Sequence, residues 1–258
     1  MDKRVLVPGT LEPYAHGVEL LLAKRGFAAV FCGRITADDI DCGLAHVDND
    51  VCVATIASVG QYLRYFDAHG AAGISVLAPE LCRECRCISV AATMRCALGR
   101  AGYGNVDIVP FSCAEVASSI PARTDSTVAA DEAVIGVCGT MPVLSTAQFH
   151  DVVVSHLEQA GCRVLMPPAQ LIADERDFLT PALRYFDACG VKSVICILPF
   201  GCLGGHAFGR GQLRTMQRAF PDIELTMLDY DPSASDINLV NRTELVIQSA
   251  QERAAACA

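Results

Sequence analysis

Residues 63–82 read LRYFDAHGAAGISVLAPELC and residues 183–202 read LRYFDACGVKSVICILPFGC, with nine of twenty positions identical at a fixed offset of 120. Self-similarity over so long a period marks a duplicated structural unit, and two copies imply paired domains rather than a stacked solenoid. Upstream, VLVPGT near Val5 is matched by VIGVCGTMP near Val134. Each is followed by an amphipathic stretch, a Gly26-Phe27 or Gly161-Cys162 step, and a further apolar run. The duplication therefore covers most of the 258 residues.

Each half alternates short Val/Ile-rich runs with helical periodicity. In the first half, strands are expected at Val5–Val7, Ala28–Phe31, Ile74–Leu77 and Val106–Val109. In the second they are expected at Val134–Val137, Arg163–Leu165, Ser193–Ile197 and Glu224–Leu228. Continuous apolar strands separated by helices indicate parallel sheets covered on both faces. The expected fold class is α/β: two similar Rossmann-like domains with parallel sheets, related by internal duplication. The polar stretch Ser118–Ala133 places the boundary, giving a first domain over 1–120, a linker over 121–133 and a second domain over 134–258. The final helix, about Asn238 to Arg253, could cross back onto the other domain.

A net charge of −9, with no clustered Lys or Arg, argues against a nucleic-acid groove or an anionic membrane surface as partner. The start MDKRVLVPG lacks a signal-peptide core, and each apolar run ends before the roughly 18 residues of a membrane span. The expectation is a cytoplasmic protein. Its fourteen cysteines are too many for a disulfide scaffold in such a chain, so they are read as reduced thiols. Reduced thiols serve as small buried hydrophobes, as redox centres, or as soft ligands for zinc or iron-sulfur clusters.

In open parallel sheets ligands bind beyond the carboxyl ends of the strands. Cys82 closes ISVLAPELC and Cys202 closes VICILPFGC, so the duplication puts matching sulfurs on matching loops. Cys82, Cys85 and Cys87 form CRECRC just before the helical run Val90–Leu98. A helix N-terminus with Arg83 and Arg86 nearby favours thiolate there. Cys52, in NDVCVATIASVGQYL, stands where a loop enters a helix. Cys202 is followed by LGGHAFGRG, whose glycines permit the close backbone approach that a cluster or an anion needs. His206 in that segment has the plainer reading of a surface or packed histidine. Burial is expected for Cys32, Cys162 and Cys196 in or beside strands and for Cys96 and Cys189 on helices. Cys113 and Cys138, near strand ends, stay open as ligands, whereas Cys42 carries no signal and Cys257 belongs to the tail. There is no pair of CxxC motifs of the zinc type.

Several segments together resemble the 2-hydroxyacyl-CoA dehydratase subunits and the related domains of acyl-CoA dehydratase activases. PFGCLGGHAFGRG is similar to the family's cysteine-bearing loop, and LDYDPSASDINLVNRTELVIQSA to its acidic strand end and terminal helix. NDVCVATIASVGQYL and APELCRECRCISVAATMRCALGRAGYGNVDIV resemble the paired segments that carry its cluster cysteines. The resemblance implies a four-iron four-sulfur or double-cubane cluster held between two α/β domains. In that comparison Cys52, Cys85 and Cys202 match best, and Cys82 enters through the internal repeat. It also implies low-potential electron transfer toward a 2-hydroxyacyl-CoA, which the dehydratases convert through a ketyl radical, with the electron supplied by an ATP-dependent activase. No GxxxxGK[ST] loop occurs in this chain, so ATP hydrolysis would fall to that partner. The dehydratase subunits are longer, and CRECRC is richer in cysteine than the usual segment, so a stand-alone relative of the activase-attached domains is the closer match.

Two other readings compete. Cofactor-independent amino-acid racemases are also duplicated α/β proteins with one cysteine per domain as acid and base, a description that Cys82 and Cys202 fit. That reading leaves Cys52, Cys85 and Cys87 without a role. The other is a noncatalytic cluster carrier or activase partner.

Overall fold

The computed structural model describes residues 3–48, 50–80, 89–112, 128–129, 131–172, 174, 176–231 and 235–257. The chain divides into two compact units, one of Met1–Pro121 with Ser145–Ala147 and one of Ala122–Leu144 with Gln148–Ala258. The expected linker, 121–133, lies largely outside the described residues.

In the first unit the order is β1 (Lys3–Val7), α1 (Ala15–Lys24), β2 (Phe27–Phe31), α2 (Ala37–Leu44), α3 (Val53–His69), β3 (Ile74–Glu80), α4 (Val90–Arg100) and β4 (Ile108–Ser112). All strand pairs are parallel, in the order β2-β1-β3-β4. The second unit holds β5 (Val134–Gly139), α5 (Met141–Leu144), α6 (Ser155–Gln159), β6 (Arg163–Leu165), α7 (Leu179–Cys189), β7 (Ser193–Pro199), α8 (Leu213–Ala219), β8 (Glu224–Tyr230) and α9 (Ile237–Cys257). Its parallel order is β6-β5-β7-β8, the same path of connections. The chain is α/β with two Rossmann-like units, as the alternation of strands and helices predicts.

Burial follows position in the sheet. β5 and β7 are buried at every residue, and β3 at all but Glu80, whereas β2 at a sheet edge is half-buried or exposed. This pattern is what helices on both faces of a parallel sheet produce, and it explains the unbroken apolar runs. α9 packs on β5, β7 and β8 of its own unit. Its buried residues Leu239, Val246, Ile247, Ala250 and Ala254 line one helical face that fits that sheet.

Local chemistry fixes the helix ends. Thr36 and Asp39 form a reciprocal capping box at the start of α2, with Thr36 N–H donating to Asp39 Oδ2 at 2.8 Å and Asp39 N–H to Thr36 Oγ1 at 3.3 Å. Arg64 of α3 then donates to Asp39 Oδ1. α7 ends at Gly190 in the left-handed conformation, φ 84°, and α3 at Gly70 with φ 76° and an extended ψ, both positive-φ steps that glycine takes without strain. Helices α2 and α3 touch through two glycines. A Cβ on Gly60 would lie 1.7 Å from Asp39 O, and one on Gly43 would lie 2.0 Å from Ile56 O.

That contact generates a prediction. Gly60→Ala should destabilise the chain by about 1–3 kcal/mol or more, because backbone would have to move to admit one methyl group. Gly99→Ala, on the exposed face of α4 with nothing within 4 Å, should be neutral or stabilise by up to about 1 kcal/mol. Urea midpoints of the two variants decide it, and a wild-type midpoint for Gly60→Ala would contradict the packing described.

Candidate functional site

Both sheets change winding direction beside their first strand. The chain runs from β1 outward to β2 and then to β3 on the other side, and from β5 to β6 and then to β7. The carboxyl ends of β1/β3 and of β5/β7 are therefore the switch points, the places where open parallel sheets generally bind ligands.

At the first switch point, β1 continues into Pro8-Gly9-Thr10. Gly9 N–H donates to Gln61 Oε1 at 2.8 Å, and Gln61 Nε2 donates to Gly33 O at 3.1 Å, so one α3 side chain ties the loops after β1 and β2. Only glycine fits at position 9, since a Cβ would lie 2.2 Å from Gly33 O. Cys52 is the N-cap residue of α3, extended at φ −57° and ψ 136°, and its carbonyl accepts from Thr55 and Ile56. Because α3 leads down into the start of β3, its N-terminus faces the carboxyl edge of the sheet. The expected loop-to-helix position of Cys52 is thus observed, half-buried against the core. Cys82, Cys85 and Cys87, which follow Glu80 at the end of β3, lie outside the described residues, as does Cys113.

At the second switch point, β7 ends at Pro199 and the chain turns through Gly201, φ 70°. Cys202 N–H donates to Pro199 O at 3.1 Å, and Cys202 Sγ accepts from Gly205 N–H at 3.3 Å. The expected loop position of Cys202 is also observed, half-buried at the strand's carboxyl end. A Cβ on Gly205 would sit 3.5 Å from that sulfur, and one on Gly209 would sit 3.0 Å from Phe178. Gly209 thus allows close packing on Phe178 and Leu198, while Gly205 lies in ordinary contact with Leu198 and the thiol. Gly205–Gly209 forms a π-helical turn, a wide turn that recurs at functional sites. His206 lies in that turn, half-buried, with its N–H on Cys202 O.

The other cysteines separate by environment. Cys138 of β5 and Cys196 of β7 are register partners, both fully buried, and their thiols hydrogen-bond to each other. That bond, with burial and the neighbouring thiol, pushes Cys196 well up, although the Arg210 charge opposes it. Cys138 therefore belongs to the sheet interior rather than to its edge. Burial and Asp39 push the Cys32 thiol up to about 12, so the half-buried residue holds its sulfur against the core. Burial also raises Cys42 and Cys162. Cys162, Cys189 and Cys196 are buried as expected. Cys96 is exposed instead, because α4 buries the face of Val90, Met94, Ala97 and Leu98 and position 96 falls on the other side.

No group of three His, Cys, Asp or Glu side chains able to hold a metal occurs among the described residues. Cys52 and Cys202 belong to different units. No helix of the described residues is long and apolar enough to cross a membrane.

Two features escaped the sequence reading. Thr10 Oγ1 and Thr140 Oγ1, each after the first strand of its unit, are buried without a hydrogen-bond partner among the described residues, as is Arg210 Nε. An unmet buried donor costs about 1–3 kcal/mol. The Gly-Thr pair recurs in VLVPGT and VCGTMP, but burial of a hydroxyl leaves no trace in sequence.

No family model matches the chain, and no curated protein matches it.

These environments predict alkylation order. In the native protein at pH 8, iodoacetamide should modify Cys96 well before Cys32 or Cys196, whose protonated thiols are shielded, and all should react once the chain unfolds. Peptide mass spectrometry with timed quenching reads the order. Equal rates at Cys96 and Cys196 would contradict the buried dithiol. By linkage, the neutral Cys32 thiol contributes fully below the unfolded pKa of 9.0, and that contribution is lost as pH rises toward about 12.

Proposed function

We propose that this chain binds an iron-sulfur cluster, four-iron four-sulfur or double-cubane, through Cys52, Cys82, Cys85 and Cys202. It would serve low-potential electron transfer as a relative of the 2-hydroxyacyl-CoA dehydratase and activase-related proteins. The observation that carries the reading is Cys202 at the second switch point, half-buried, its sulfur accepting the Gly205 N–H at 3.3 Å. Backbone N–H donors on a cysteine sulfur stabilise the thiolate and tune the potential of a bound cluster. Cys52 supports it from the first unit, since the amino end of the seventeen-residue α3 favours negative charge on the N-cap sulfur. The donor chemistry fits: soft thiolates at strand ends suit cluster iron, whereas Cys32, Cys42, Cys162 and Cys196 are held as neutral thiols.

When bound, the cluster supplies one-electron transfer. The chain's own part is to hold the sulfurs, donate N–H groups to them and keep the β7 side of the site dry through Leu198 and the glycine turn. An ATP-dependent activase or reductase would be the electron source and an acyl-CoA the acceptor, in a cytoplasm reducing enough for free thiols. Nucleic acid and membrane have no part in this reading.

The test compares anaerobically purified wild type with Cys52→Ala, Cys202→Ala and Cys196→Ala. The first two should lose bound iron and the broad thiolate-to-iron absorbance near roughly 400 nm. Cys196→Ala, six residues from Cys202 but inside the sheet, should keep both. Equal iron in all four proteins would defeat the proposal and move the two-cysteine racemase reading, with Cys82 and Cys202, to the front.

A further inference from the structure

The amino edge of the first sheet, opposite the edge that Cys52 faces, carries a cavity of about 520 Å³ where β1, β3 and β4 begin. Its walls include Lys3, Gly73, Tyr103, Asn105 and Asp107. Lys3 precedes Arg4, the register partner of Ile74, and Asp107 precedes Ile108, the register partner of Val76. The order β1-β3-β4 therefore sets Lys3 and Asp107 on either side of the start of β3, two strand spacings or roughly 10 Å apart. Lys3, Asn105 and Asp107 are all exposed, and their side chains make no hydrogen bond or ion pair among the described residues, with one another or elsewhere. Tyr103, by contrast, already donates its hydroxyl to Asp67 at 2.9 Å.

The duplication supplies an internal comparison. Val191–Ser193 stand 120 residues after Ala71–Gly73 and line the corresponding cavity of the second unit, about 300 Å³. Every charged residue on that wall is compensated: Glu132 pairs with Arg163 at 3.2 Å, Lys192 with Asp187 at 3.7 Å and Arg253 with Glu224 at 2.9 Å. In the first unit the cavity is larger, and its two opposite charges face it unmet.

We infer that the first-unit cavity binds a free α-amino acid, its carboxylate on Lys3, its ammonium on Asp107 and a polar side chain at the Asn105 amide. A simple anion drawn to Lys3 would stand near the like charge of Asp107, and a simple cation drawn to Asp107 would meet Lys3. A small zwitterion satisfies both. The volume lies within the roughly 300–1,000 Å³ of small-molecule sites. Both charges stay in water, so the affinity should be modest, with Kd on the order of a millimolar. The site shares no residue with the proposed cluster ligands, and its failure would leave the iron-sulfur reading untouched.

The experiment is a ligand-observed NMR titration of the full chain with L-glutamine and with two analogues that each lack one charge: glutaramate, without the ammonium, and 4-aminobutanamide, without the carboxylate. Glutamine should bind saturably and each analogue at least about threefold more weakly. Lys3→Met and Asp107→Asn, both at exposed positions, should each weaken glutamine about threefold to tenfold. Asp107→Asn should also erase the preference for glutamine over glutaramate, and Lys3→Met the preference over 4-aminobutanamide, a crossed pattern that a disturbed fold would not give. Lys192→Met, in the counterpart cavity, should bind glutamine as the wild type does. No saturable glutamine binding, either analogue held as tightly as glutamine by the wild type, wild-type affinity in either charge variant, or equal weakening by Lys192→Met would overturn the assignment.

Discussion

Central strands covered on both faces are the constraint on which the rest of this molecule depends. β5 and β7 expose no residue, β3 exposes only Glu80 and β1 buries Val5–Val7, so their backbone groups must be met within the ladder and their side chains are mostly apolar. Parallel pairing then forces every connection through a helix and sends all carboxyl ends of a sheet to one edge. Any polar or soft ligand chemistry is left to the residues just past the strand ends.

The β7 segment shows how sharply this divides one residue type. Cys196 lies within the strand, its thiol paired with that of Cys138 and held neutral, while Cys202, beyond the Pro199 turn, accepts a backbone N–H at a half-buried position. Six residues of chain separate a thiol inside the sheet from one at its carboxyl edge. The difference comes from the end of the ladder and the glycines that follow it, since Gly201 takes a positive φ and Gly205 lies close to the sulfur.

Much of the architecture was legible because the duplicated LRYFDA segments repeat a helix and the strand after it, and because central strands read as unbroken Val/Ile runs. All eight expected strands are present, with β4 beginning at Ile108 rather than Val106 and β3 and β7 running on through their prolines. The positions of Cys52 and Cys202 at helix and strand ends were legible for the same reason. Exposure of single residues was less so: Cys96 sits on a helical run whose buried face could only be assigned once α4 was docked. The Gly43–Gly60 contact and the unpartnered Thr10, Thr140 and Arg210 atoms depend on which elements meet, which composition and periodicity do not encode.

The central claim is that the thiols at these strand ends hold iron and sulfide. Its most direct measurement is iron and acid-labile sulfide per chain in the full-length wild type, purified under strict exclusion of oxygen, with Mössbauer spectra of iron-57-labelled protein. The account predicts about four of each per chain for a single cluster, or about eight for a double cubane, with tetrahedral thiolate-ligated iron. Iron and sulfide at the level of a metal-free control protein, with every cysteine titrating as a free thiol after unfolding, would contradict it.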